Sequence, residues 1–204
     1  EQQSKNWLSK LGMVTAAASG DVTGDGRKDL IVATDWGAVQ LVDFSSTPPT
    51  ISQLSENGWW RSVTLVDLDR DGDLDVLAGG IGQNHGINVG KGNPIELFIK
   101  DFDRNGNRDF IYSYYNDGAR YPLFGRDELI KESVQFRKQY LKNRAFSGKP
   151  FDELFTAKTL QDAQHLSVEF TGSAVLWNQE GDWEAEPLPA PFQLGPIYAS
   201  LQTS

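Results

Sequence analysis

Asp67-Leu-Asp69-Arg-Asp71-Gly72-Asp73-Leu-Asp75 carries an acid at every odd position and a glycine at the sixth, and it runs straight into Val76-Leu-Ala78. Val63-Thr-Leu-Val66 leads up to it. An apolar, β-branched run on each side of a short polar segment predicts strand, loop, strand. The pattern recurs in Asp21-Val-Thr23-Gly-Asp25-Gly26-Arg27-Lys-Asp29 and Asp101-Phe-Asp103-Arg-Asn105-Gly106-Asn107-Arg-Asp109. All three windows place an oxygen-bearing side chain at positions 1, 3, 5 and 9 and glycine at position 6. One such window could be an ordinary Asp-Gly turn. Three in register predict a repeated unit with a shared purpose.

That purpose is written in the donor set. Calcium takes six to eight oxygens, and a tight loop of alternate carboxylates can wrap one ion. Glycine at position 6 permits a left-handed turn that aims the next carbonyl inward. The expected ligands are the side chains of Asp21, Thr23, Asp25 and Asp29 with the carbonyl of Arg27. In the second loop they are Asp67, Asp69, Asp71 and Asp75 with the carbonyl of Asp73, and in the third Asp101, Asp103, Asn105 and Asp109 with the carbonyl of Asn107. Up to three calcium ions are expected. Five carboxylates in nine residues repel one another without a cation, so the second loop is the strongest candidate and the first, with Thr23, the weakest. The EF-hand alternative requires a glutamate at position 12; here that position holds Val32, Ala78 and Tyr112.

The loops begin 46 and then 34 residues apart, near the spacing of propeller blades. A first blade is expected from residue 13 to 54. A second runs through 62–68 and 76–81, and a third opens with 94–101 and 110–115. Between 125 and 164 the period becomes helical, with Asp127, Glu128 and Glu132 at the start of 126–143 and Arg137, Lys138, Lys142 and Arg144 at its end, as a helix dipole prefers. Strands resume at 166–170, 174–178 and 183–188. Leu194-Gly-Pro-Ile-Tyr-Ala-Ser200 repeats the pattern of Leu11-Gly-Met-Val-Thr-Ala-Ala17 with an offset of 183 residues. The fold expected is therefore all-β with a helical insertion at about 125–164: three to four β-propeller blades forming a single segment, 1–204, of an incomplete propeller, the alternative being an unusually small closed ring. The remaining blades would come from a longer chain or a second copy.

These loops resemble the calcium loops of FG-GAP/VCBS repeats, the blades of integrin-α-like β-propellers. Within that group the chain is similar to exported bacterial proteins related to cartilage acidic protein. The likeness rests on residues 11–18, on Gly58-Trp59-Trp60, on residues 121–129 and on the stretch from Pro187 to Tyr198. The Phe-Gly-Gly-Ala-Pro signature is absent, and Ala78-Gly-Gly-Ile-Gly82 is the nearest match to it. The resemblance implies a non-catalytic, extracellular, cell-surface or periplasmic module that engages a protein or glycan.

Composition narrows the remaining classes. The formal charge of −9 comes from 28 acids against 19 bases, and eleven of those acids sit in the three windows. That sign disfavours nucleic acid. No apolar stretch reaches the ~18 residues of a membrane span, and the lack of cysteine excludes thiolate metal sites and cysteine nucleophiles. His85 and His165 stand without a sequence partner and read as surface or hydrogen-bonding residues. Neither a nucleophile elbow nor a zinc-protease motif occurs. An alternative is a propeller-type polysaccharide lyase or hydrolase, but chelated carboxylates make poor general acids. Tyr112, Tyr114, Tyr115, Tyr121, Trp59 and Trp60 could stack sugars, although aromatic-rich strands more often build cores.

Overall fold

A computed structural model describes residues 7–132 and 148–201. In chain order its strands are β1 (Met13–Gly20), β2 (Asp29–Gly37), β3 (Gln40–Asp43), β4 (Thr50–Gln53), β5 (Gly58–Trp59), β6 (Ser62–Val66) and β7 (Asp75–Gly79). They continue with β8 (Ile95–Lys100), β9 (Asp109–Asn116), β10 (Ala119–Pro122), β11 (Gln164–Val168), β12 (Ala174–Gln179) and β13 (Asp182–Pro187). Among the described residues, three short helices, α1 (Arg126–Glu132), α2 (Phe151–Leu154) and α3 (Ala157–Leu160), lie between β10 and β11. The remainder of the helix expected over 126–143 lies outside the described residues. The chain divides into two compact units, Glu1–Gly86 with Phe170–Ser204, and Ile87–Glu169. The fold is all-β, in three antiparallel sheets.

In the first unit, β1-β2-β3-β4 form a meander, with β5 pairing β2 on the side of β3, beyond the end of that strand's pairing. Strand alternation sends Ile31 and Ala33 of β2 to one face and Leu30 and Val32 to the other, and both faces are covered. On the second face, Val32 and Val42 pack with Leu11, Trp7 and Ile51. On the first, Ile31, Ala33 and Val39 meet Val76, Ala78, Ala174 and Leu176 of a second sheet. The sheets approach closely at Gly20, where a Cβ would stand 2.7 Å from Leu65 Cδ1 and that leucine side chain would have to shift. Trp60 is 1% exposed in this core and its ring lies 5.5 Å from that of Phe170. Removing such a side chain typically costs about 3–5 kcal/mol.

The second sheet, in the order β6-β7-β12-β13, shows what the sequence left open. Its inner hairpin is encoded before residue 80 and its outer hairpin after residue 173, so the second unit interrupts the meander in sequence. Leu176 pairs Val76 and Ala174 pairs Ala78 across the junction.

The second unit has its own sheet, β10-β9-β8-β11. Phe98 and Ile111 pack beneath Leu129, Phe151, Leu154 and Phe155 of the helices. At one end of that face buried Glu96 accepts from Ser113 Oγ at 3.0 Å, Arg120 Nη1 at 3.0 Å and His165 Nε2 at 2.9 Å. Arg120 also pairs with Asp152 and sits 4.5 Å from the Phe151 ring centroid. Burial opposes its charge, but Asp152 and Glu96 outweigh burial and raise its pKa.

Candidate metal centre

The three acidic windows fold alike. The ninth residues, Asp29, Asp75 and Asp109, open β2, β7 and β9 and are 1%, 0% and 2% exposed. Each accepts on Oδ2 the N–H of its loop's second residue: Val22 at 3.1 Å, Leu68 at 2.9 Å and Phe102 at 2.8 Å. The fifth side chain accepts the N–H of the seventh residue, from Arg27 to Asp25 at 2.8 Å, Asp73 to Asp71 at 2.9 Å and Asn107 to Asn105 at 2.7 Å. Gly26, Gly72 and Gly106 are left-handed, with φ of 84°, 103° and 89°. So is the fourth residue of every loop: Gly24 at 71°, Arg70 at 67° and Arg104 at 61°. The fourth position was not legible in the sequence, because arginine ordinarily avoids this region.

This backbone gathers acid. Carboxylate oxygens of Asp67, Asp69 and Asp71 lie within 4.8 Å of one another, as do those of Asp101, Asp103 and Asp109. Desolvation, followed by repulsion from Asp71, Asp75 and Asp67, raises the Asp69 carboxyl pKa. Burial, followed by Asp103 and Asp101, raises that of Asp109. In the first loop the strain takes another form. Asp29 Oδ2 accepts three donors, the Val22 and Thr23 amides at 3.1 Å each and the Thr23 hydroxyl at 3.0 Å. Asp29 Oδ1 and Asp21 Oδ1 are buried and accept no hydrogen bond among the described residues. A buried oxygen without a donor is unfavourable by about 1–3 kcal/mol.

The first two loops share an end of the first unit, where Asn178 joins them. Its Nδ2 donates to the Val22 carbonyl at 2.9 Å, and its N–H donates to Asp75 Oδ1 at 3.0 Å. Glu180 N–H adds a bond to Asp73 Oδ2 at 3.2 Å. Asn178 lies outside every acidic window, so only the strand pairing brings it here. The third loop stands in the second unit, between β8 and β9.

The other candidates fall elsewhere. His85 Nε2 meets Thr171 Oγ1 at 2.9 Å, and burial lowers its pKa. His165 stacks on Phe98 with ring centroids 4.6 Å apart. Trp60 is core, whereas Trp59 meets Trp36 edge-on at 5.2 Å. Tyr114 and Tyr121 line an open cleft of about 520 Å³ with Phe124 and Arg126.

One comparison bears on this geometry. Residues 7–78 match the family model for the FG-GAP-like repeat. The match supports an FG-GAP repeat over a segment that holds the whole first sheet, the first two acidic loops and most of the inner hairpin of the second sheet. The third loop shares the hydrogen-bond skeleton of this FG-GAP-like segment although it lies beyond the matched residues. No curated protein and no solved structure matches the chain. No described helix is long and apolar enough to cross a membrane.

Proposed function

We propose that the chain is a calcium-braced, non-catalytic module of FG-GAP-like repeats from an exported or cell-surface protein, and that it presents its surface to a protein or glycan partner. The likeness to exported bacterial proteins related to cartilage acidic protein belongs to the same reading. The observation that carries it is the pair of buried oxygens, Asp21 Oδ1 and Asp29 Oδ1, that face no donor. A cation is the simplest group to satisfy a buried carboxylate oxygen that has no donor, and a hard one suits carboxylate, hydroxyl and carbonyl ligands. In each loop one oxygen of the ninth aspartate fixes the second residue's amide, and in the first loop the other would face the ion.

When bound, calcium supplies charge neutralisation and holds the loop closed. Asp21, Thr23, Asp25, Asp29 and the Arg27 carbonyl would hold the first ion. Asp67, Asp69, Asp71, Asp75 and the Asp73 carbonyl would hold the second, and Asp101, Asp103, Asn105, Asp109 and the Asn107 carbonyl the third. The role is structural, since binding to a loop that cannot otherwise contain its charges is folding free energy. Extracellular calcium is concentrated enough for weak modular sites of this kind.

The test is a thermal melt with chelator and with calcium. An ion at a hundred times its Kd adds roughly 2.7 kcal/mol, which for a chain of this size is about 5–10 °C per site. EDTA is expected to lower the melting temperature by at least that amount and calcium to restore it.

A further inference from the structure

Residues 196–201 of the first unit repeat the bonds by which its second sheet begins. Trp60, at the entry to the second sheet, donates its N–H to the Thr34 carbonyl at 3.3 Å and accepts the Thr15 hydroxyl on its own carbonyl at 2.7 Å. Ile197 does the same one sheet later. Its N–H donates to the Gly80 carbonyl at 3.0 Å, and its carbonyl accepts the Ser62 hydroxyl at 2.8 Å. Gly80 lies 46 residues after Thr34, the separation of the first two acidic loops, so the acceptors are equivalent. Ser62 lies 47 residues after Thr15, and the one-residue difference matches the irregularity in β1 between Val14 and Ala16. Ser200 adds a hydroxyl contact to Thr64 at 2.6 Å. The fit is close, since a Cβ on Gly79 would stand 2.2 Å from the Ile197 carbonyl oxygen. Residues 196–201 therefore occupy, against β6 and β7, the place of a first strand.

What differs is the cover. Leu11, which introduces β1, is 5% exposed, and its counterpart Leu194 is 67% exposed. Tyr198 and Leu201 are 69% and 85% exposed. β1 is paired along its length by β2, through Val14–Thr34, Ala17–Val32 and Ala18–Ile31. No described residue pairs residues 198–201 in that way.

We propose that residues 196–201 are the first strand of a further repeat, and that its cover is that repeat's second strand: antiparallel, apolar and borne on the same polypeptide. A separate copy fits poorly, because its β1 already lies on its β2 and would collide with residues 196–201. With Ile197 turned toward Gly80 and the Ser200 carbonyl turned toward Thr64, strand alternation leaves the Tyr198 amide for the incoming strand.

Amide exchange at Tyr198 tests this, with calcium present throughout so that loss of ions cannot mimic loss of pairing. In the 204-residue chain this amide is expected to exchange as fast as an open strand. In the chain extended after Ser204 by a copy of residues 22–54, it is expected to slow by about 100-fold or more. A peptide copying residues 29–37, added in trans, is expected to slow the same amide where a scrambled peptide does not. Fast exchange with both probes would overturn the proposal. So would slow exchange in the unextended monomer, or a dimer of the 204-residue chain that Tyr198→Pro abolishes, since a second copy would then be the cover.

Discussion

The first and second acidic loops share one backbone and meet the same neighbour, Asn178, yet they manage charge in opposite ways. The second holds five carboxylates, and both oxygens of its buried Asp75 accept backbone N–H groups, from Leu68 and Asn178. The first holds three carboxylates and a threonine, and leaves buried oxygens of Asp21 and Asp29 without donors. One loop is strained by crowding and the other by burial. The number of acids is therefore a poor guide to which loop needs an ion; the environment of the ninth residue matters as much.

The largest effect should come from that ninth residue. Asp75→Ala orphans two buried N–H groups and is expected to cost about 2–5 kcal/mol in urea denaturation, with or without calcium. Asp29→Ala should cost clearly less than this in EDTA, because it also removes an unsatisfied oxygen. Equal costs in EDTA would break the comparison. Next, Asn178→Ala removes the Nδ2 bonds to the Val22 and Leu74 carbonyls while keeping the backbone bond to Asp75, and is expected to cost about 1–3 kcal/mol.

Asp71→Ala should weaken calcium binding to the second loop about tenfold, near 1.4 kcal/mol, as read by calorimetric titration. Thr23→Ala in the first loop should do less, because the hydroxyl carries no charge and already donates to Asp29. A larger effect at Thr23 would reverse the assigned ranking of the two positions. The smallest effects concern the fourth residue, which is left-handed in both loops. Arg70→Gly should be neutral or stabilising, by up to about 1 kcal/mol, whereas Gly24→Ala should destabilise by about 1–2 kcal/mol. Opposite signs would show that the two turns are not equivalent.

The loops were legible because their spacing is local. Asp, Asn and Gly at fixed offsets dictate a turn wherever the chain goes, and the flanking strands follow from alternation. The spacing marks Asp29, Asp75 and Asp109 as ligands, but their burial and their bonds to the second residue depend on strands that fold around them. The interruption of the second sheet was illegible for the same reason. Val76–Leu176 and Ala78–Ala174 are apolar pairs about a hundred residues apart, and nothing in either strand names its partner. Asn178 gave no signal, being an ordinary strand residue until β12 sets it beside Val22 and Asp75. The likeness of residues 194–200 to 11–17 was visible in the sequence, whereas its meaning required the matching bonds of Trp60 and Ile197.

If calcium braces the acidic loops, the melting temperature of the chain must follow the ion, first in EDTA and then in excess calcium. A fall of at least about 5–10 °C in chelator and full recovery on adding calcium are expected. A melt unchanged by either addition would contradict bracing by calcium.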